Sequence, residues 1–301
     1  MMILIISQNN EITTTEVIKE LISMGKKFIR VHEDEVFEIK VQQKRILLQS
    51  SRSIFFLDEI KSVWFRRGGL TFKRLKYNHT AINQNMNETQ HWLEDYVRKT
   101  LASKRHINKE SNAHINKLLV LDKAKELGFD VPEYYLAENT HDVDLGNTVI
   151  KTINGNVMLE EIRKNSGGFM YTSVVDEHEE GDFFITFFQK KIEKDFEIRT
   201  FYLNGQCWSM AIFSQKDEQT KIDFRKYNKT NPNRNVPYTL PYHLEEKIHQ
   251  LMECFDLNCG SLDFIKKGDQ YYFLEINPIG QFLGMSHTCN YSLEQKIAEY
   301  L

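Results

Sequence analysis

The stretch SLDFIKKGDQYYFLEINPIGQF, residues 261–282, constrains the chain more than any other. Two runs of strand-forming residues flank a polar, glycine-containing break, the pattern of a β-hairpin. The second run carries Glu275 and Asn277 two residues apart, hence on one face, and stops at Pro278. A carboxylate and a carboxamide aimed the same way need a common partner, and Asp263 on the first run can supply the rest of its shell. A five-residue turn over Lys266 to Gln270 pairs Ile265 with Tyr271 and Asp263 with Phe273, which puts Asp263 on the face of Glu275 and Asn277. A four-residue turn sends it to the opposite face, because a one-residue slip inverts a strand. Three oxygen donors on one face suit Mg²⁺, and the absence of a soft ligand disfavours zinc or copper. In the alternative reading Glu275 meets a nearby Lys or Arg, and Asn277 caps the turn before Pro278. Spacing leaves both open.

The 301 residues predict an α/β (α+β) chain in three parts. Residues 1–105 alternate strand and helix: strands at 2–7, 28–31, 36–41, 44–50, 53–57 and 62–67, and a helix at 13–24 that the Thr13–Thr15 run can cap and Gly25 ends. Trp92, Leu93, Tyr96, Val97 and Leu101 recur at helical spacing within 79–104. Residues 106–187 open with a helix at 116–127 and continue through the strand TVIKTI (148–153), a glycine loop flowing into a strand (164–174) and the apolar strand FFITFFQ (183–189). Residues 188–301 are strand-rich, with a hairpin about Asn204-Gly205, a basic stretch at 216–235, a helix at 242–255 and the hairpin above.

A formal net charge of −3 argues against a nucleic-acid binder, and no run of apolar residues is long enough to span a membrane. MMILIISQNN has no basic segment ahead of its apolar run and reads as a first core strand, so a cytoplasmic protein is expected. Cys207, Cys254, Cys259 and Cys289 show neither a CxxC pair nor metal spacing, and are read as free thiols.

Two further places carry chemistry. Lys151, within TVIKTI, either sits at an exposed strand edge or meets an anion. The apolar strand before Gln189 breaks into Lys190, Lys191 and Ile192, where free backbone groups can face a flat ligand or simply cross between sheets. Arg225 and Arg234 in the basic stretch, with Arg199, can line a site for phosphate or carboxylate.

Taken in order over about 112–286, the pieces SNAHINKLLVLDKAKELGFDVPE, TVIKTI, NSGG, QKKIEKDFEIR, IDFR and SLDF…FLEINPIGQF resemble an ATP-grasp ligase. With VWFRRGG in the first part, they are most similar to the maturases of graspetides (microviridin-like peptides), in the grasp-with-spasm subgroup. The resemblance implies an ATP-grasp fold behind an N-terminal open-sheet (pre-ATP-grasp) domain, with the nucleotide held between two sheet-containing lobes, 106–187 and 188–301. It implies ATP and two Mg²⁺ ions as cofactors. Lys151 is then expected at the α-phosphate. Gln189, Lys190, Lys191 and Ile192 form the adenine hinge, chiefly through the backbone of Lys191 and Ile192. Gly167 and Gly168 belong to a loop closing over the phosphates. Asp263, Glu275 and Asn277 hold the metal, and Arg199, Arg225 and Arg234 face the γ-phosphate and the acceptor carboxylate. The family often has Asp-x-Arg and a Glu-aromatic hinge where this chain has Glu197-Ile198-Arg199 and Lys190-Lys191, so base and ribose contacts are expected to differ.

The implied reaction joins an Asp or Glu side chain of a precursor peptide to a Ser, Thr or Lys side chain of the same peptide. No nucleic acid or membrane partner is implied, and a homodimer is. The alternatives are an intermolecular ligase of the glutathione-synthetase or glutamate-ligase type and a non-catalytic ATP- or peptide-binding module.

Overall fold

The computed structural model describes residues 2–152, 158–163, 166–169, 171–178, 181–226 and 228–301. The chain opens with β1 (Met2–Ser7), α1 (Ile12–Ser23) and β2 (Lys27–His32), followed by β3 (Val36–Gln42), β4 (Arg45–Gln49), β5 (Ile54–Phe56), β6 (Ile60–Phe65) and β7 (Thr71–Phe72). Helix α2 (Thr80–Ala102) and β8 (Arg105–Ile107) complete this part. A parallel sheet runs β2-β1-β6-β8, and a smaller sheet runs β5-β4-β3-β7. Strand β1 is apolar on both faces because both are covered. Leu4 and Ile6 pack with Phe37, Leu48, Val97 and Leu101, while Ile3 and Ile5 pack on the other side.

Two local expectations change here. Glu11, not the threonine run, caps α1, its carboxylate accepting from Thr14 N at 2.6 Å, because the chain turns helical one residue before Thr13. On α2 only Val97 and Leu101 of the apolar set are buried, whereas Trp92 is 71% and Tyr96 57% exposed.

The middle of the chain contains α3 (Lys117–Glu126), β9 (Tyr134–Ala137), β10 (Thr148–Lys151), β11 (Met158–Arg163), β12 (Ser166–Phe169), β13 (Ser173–Val174) and β14 (Thr186–Lys190). Asn116 caps α3, its Oδ1 accepting from Leu118 N and Leu119 N. An antiparallel sheet runs β13-β10-β14-β9, and β11 pairs with β12. The strand expected from Phe183 begins only at Thr186, and Phe184 is exposed.

The last part is β15 (Phe196–Leu203), β16 (Gln206–Phe213), β17 (Arg234–Tyr238), α4 (Tyr242–Cys254), β18 (Cys259–Lys267), β19 (Gln270–Asn277), α5 (Leu283–Cys289) and α6 (Leu293–Tyr300). Its antiparallel sheet runs β17-β16-β15-β18-β19. The β15–β16 turn at Asn204-Gly205 has positive φ at both residues, as a tight hairpin turn requires. On one face Ile198, Tyr202, Leu262, Phe264, Phe273 and Ile276 pack against α3 and α4. On the other, Phe201, Leu203, Met210 and Ile212 join Ile3, Ile5, Val17 and the buried side of α6 in one continuous core.

The β18–β19 hairpin corrects the turn but keeps the facing. Lys267 pairs with Gln270 across a two-residue turn in which Gly268 has φ 54°. That register alone would turn Asp263 away from Glu275. A bulge restores it: Phe264 faces Phe273, Asp263 faces Glu275, and Leu274 is the extra residue. Both phenylalanines are fully buried and meet Phe129, with ring centroids 5.4–6.2 Å apart. Keeping them inside while both acids face outward requires the one-residue slip.

Candidate active site

Between the β13-β10-β14-β9 sheet and the five-stranded sheet lies a cavity of about 330 Å³, within the range of small-ligand sites. One wall is the exit of β14. Gln189 is 2% exposed and pairs with Val149 and Tyr134. Lys190 N donates to Glu133 O, and Lys191 N donates to Asn147 O at 2.7 Å. Lys191 therefore keeps only its carbonyl for a ligand. Ile192 N has no partner among the described residues, so the hinge presents one acceptor and one donor in sequence, the pattern that reads a planar heterocycle edge.

Lys151, Arg225, Asp263 and Glu275 also line the cavity. Lys151 comes from the last residue of β10. Burial pulls its ammonium down to about 8, against the opposing pull of Glu275. Arg225 makes a bidentate pair with Asp223, Nε to Oδ1 at 2.9 Å and Nη2 to Oδ2 at 2.6 Å. Thr172 N also donates to Asp223, tying the strand-end of the β13 hairpin to this segment. Arg199 stands across from Asp263 on the neighbouring strand, its Nη1 3.6 Å from Oδ1.

The facing carboxyls differ. Burial pushes Asp263 up, with Arg199 opposing. Glu275 suffers the same burial but ends below the usual carboxylate range, because Lys117 donates to its Oε2 at 2.8 Å. Asn277 Oδ1 accepts from Ile279 N at 3.2 Å. The protein-only contacts allowed by the sequence, a lysine on Glu275 and a turn cap on Asn277, therefore both form. They do not use up the donor set: Asp263 Oδ1 is buried without a hydrogen-bond partner. Two carboxylates and a carboxamide on one face, with an orphaned buried oxygen, fit a hard divalent cation. Among the described residues no group of three or more His, Cys, Asp or Glu side chains that could hold a metal ion forms, so the set here rests on two carboxylates and one carboxamide.

Some expected residues lie elsewhere. Arg234 is exposed at the start of the edge strand β17, with its guanidinium 5.8 Å from the Phe213 ring, and it does not line the cavity. Gly167 and Gly168 are in β12 and not in an open loop, Gly168 pairing with Leu159 of β11; Asn165 of the same stretch lies outside the described residues.

Three groups were not anticipated. Lys117 occupies the first turn of α3, where the helix dipole disfavours a cation; that misfit was its one signal, since only a nearby anion relieves it. Asp223 stood in the IDFR stretch without an expected role, and its pairing with Arg225 comes from side-chain geometry. Lys194 and Glu197 form a buried ion pair that lines the cavity, with Ser214 Oγ donating to the other carboxylate oxygen at 2.6 Å. Lys194 also reaches Ile222 O and so anchors the segment that bears Asp223 and Arg225.

No family model matches the chain, and no curated protein does. Solved structures do. The macrocyclase MdnC of Microcystis aeruginosa MRC, bound with precursor peptide MdnA, is 25% identical with a TM-score of 0.75, covering 100% of this chain and 99% of that one. A RiPP-associated ATP-grasp ligase of Chryseobacterium gregarium, in complex with ADP and a leader and core peptide, is 23% identical with a TM-score of 0.74, covering 99% and 94%. The ATP-grasp ligase PsnB, complexed with a precursor variant, Mg and ADP, is 13% identical with a TM-score of 0.63, covering 99% and 96%. Among the described residues no helix is long and apolar enough to cross a membrane.

Proposed function

We infer that this ATP-grasp ligase is a maturase of the graspetide kind, using ATP to close side-chain ester or amide rings in a ribosomally made precursor peptide. The observation that carries the reading is the bulged hairpin, which sets Asp263 and Glu275 face to face in the wall of a cavity that Ile192 also lines. ADP fits this cavity with its base at the hinge and its phosphates beside Lys151 and Arg225. The full-length likeness to MdnC and to the Chryseobacterium ligase, both seen with peptides, supports a peptide as the second substrate.

A carboxylate is a poor acyl donor. In the first step its oxygen attacks the γ-phosphorus, the bridging bond to the β-phosphate breaks, and ADP leaves. In the second, a hydroxyl or amine of the same peptide attacks the acyl carbon, phosphate departs and the nucleophile's proton is lost. Each ring thus costs one water and one ATP. Asp263, Glu275 and Asn277 would hold magnesium, two ions in the fullest form of this reading, which would neutralise charge on the phosphates. Arg225, held rigid by Asp223, places a guanidinium where phosphoryl charge grows, and Arg199 sits beside Asp263 to orient the incoming carboxylate. Lys117 is the counter-ion of Glu275.

Incubation with ATP, magnesium and the cognate precursor should release ADP and shift the peptide mass down by one water per link. Turnover with an unchanged peptide mass would overturn the reading. Addition of a free amino acid would favour the intermolecular ligase.

The lowered Lys151 gives a pH signature. Only the ammonium form pairs with phosphate, and the bound nucleotide raises its pKa again. Above about pH 8 binding must therefore bring a proton, and ADP affinity should fall, approaching about tenfold per pH unit. Calorimetric titration between about pH 7 and 9.5 measures the slope. A Lys151→Arg variant should flatten it, and a slope unchanged by that substitution would exclude Lys151 as its source.

A further inference from the structure

The turn that ends the metal-facing strand is held by side chains from the first 108 residues. Asn277 O accepts from Gly280 N at 3.0 Å, closing the turn. Gly280 lies so close to β18 that a Cβ there would stand 2.1 Å from Ser261 Oγ. The turn's outward carbonyls are then taken one by one. Asn108 Nδ2 donates to Pro278 O at 3.1 Å, and Arg66 Nη1 donates to Gly280 O at 3.3 Å. Arg66 Nη2 reaches Gln281 Oε1 and Glu11 Oε1, each at 3.2 Å. Thr13 Oγ1 donates to Gln281 Oε1 at 2.7 Å, and Gln281 Nε2 reaches Glu11 Oε1 at 3.4 Å.

Arg66 and Glu11 are 4% and 6% exposed. Burying such a pair is costly, and an apolar pair of similar volume is often as stable or more so. The pair is poorly explained as a stabiliser. Arg66 is well explained as a fixture, because its remaining side-chain hydrogen bonds go to the turn beyond Asn277, to Gly280 O and Gln281 Oε1, while Glu11 also caps α1 through Thr14. The geometry points to Arg66, supported by Glu11 and Gln281, as a positioning residue for the metal-binding face of β19: it acts through the 277–281 turn on Asn277 and Glu275 without touching nucleotide. This rests on the ATP-grasp reading of that face.

Groups one shell behind a metal ligand typically tune affinity by about 10–100-fold. Arg66→Met should therefore lower the magnesium-dependent gain in ADP affinity about tenfold, and surface-exposed Gln281→Ala should lower it by a smaller factor. ADP affinity measured with chelator and no magnesium should stay at the wild-type value in both, which a general loss of structure would not allow. Direct binding is the readout, over a magnesium series, with a melting curve for each variant. If Arg66→Met does not fold, Gln281→Ala carries the test. Wild-type magnesium dependence in the folded variants overturns the inference. A wild-type protein whose ADP affinity ignores magnesium overturns the metal reading itself, and the inference with it.

Discussion

A Glu275→Gln variant should lose nucleotide consumption almost entirely, with ADP release falling by roughly 10³-fold while the protein stays folded. The side chain keeps its length, and its carbonyl still accepts from Lys117, which now donates to Glu275 Oε2 at 2.8 Å. What is lost is a negative charge opposite Asp263 in a place shielded from water, where charge counts for more than at a surface. Phosphate-linked ADP detection with precursor present measures the effect, and circular dichroism checks the fold. Undiminished ADP release would mean that the β18–β19 face does not hold the cation.

The second large effect is on stability. Phe273→Ala removes a ring that is fully buried against Phe129 and Phe264. Truncations of this kind cost about 3–5 kcal/mol, the transfer term plus the void left behind. At ~2–4 °C per kcal/mol for a long chain, the melting temperature should drop by roughly 10 °C. The site should suffer beyond that loss. The bulge exists because Phe264 and Phe273 must both point inward while Asp263 and Glu275 point out. Without Phe273 the strand can slide to an unbulged register that sends Glu275 to the wrong face. ADP release measured well below the new melting point should therefore still be reduced. Full activity there would show that the register is set elsewhere, at the Gly268 turn.

The hairpin also shows how far sequence reasoning reached. Alternation made its strands legible, and the two-residue spacing of Glu275 and Asn277 made their shared face legible. The turn was not, because LysLysGlyAspGln accommodates several lengths. The choice depends on a three-ring contact with Phe129, well over a hundred residues away in sequence. Arg234 was drawn into the site by composition, since it lies in a basic stretch with Arg225, but β17 carries it to the sheet edge. Arg225 is distinguished by Asp223, which fixes its guanidinium, and that pairing is a fact of side-chain geometry. Lys194 and Glu197, three residues apart, pair in the interior, which their charged surroundings in the sequence do not signal. The contacts among Glu11, Arg66 and Gln281 span most of the chain, and no local pattern signals them.

The apolar interior that holds Ile3, Ile5 and Val17 also holds Phe201, Met210, Phe282 and Leu301. A protein trimmed of its opening hundred residues would thus expose a greasy scar across the back of its largest sheet and would be expected to clump. Swapping that segment with one from another protein would succeed only if both halves of this seam were exchanged together.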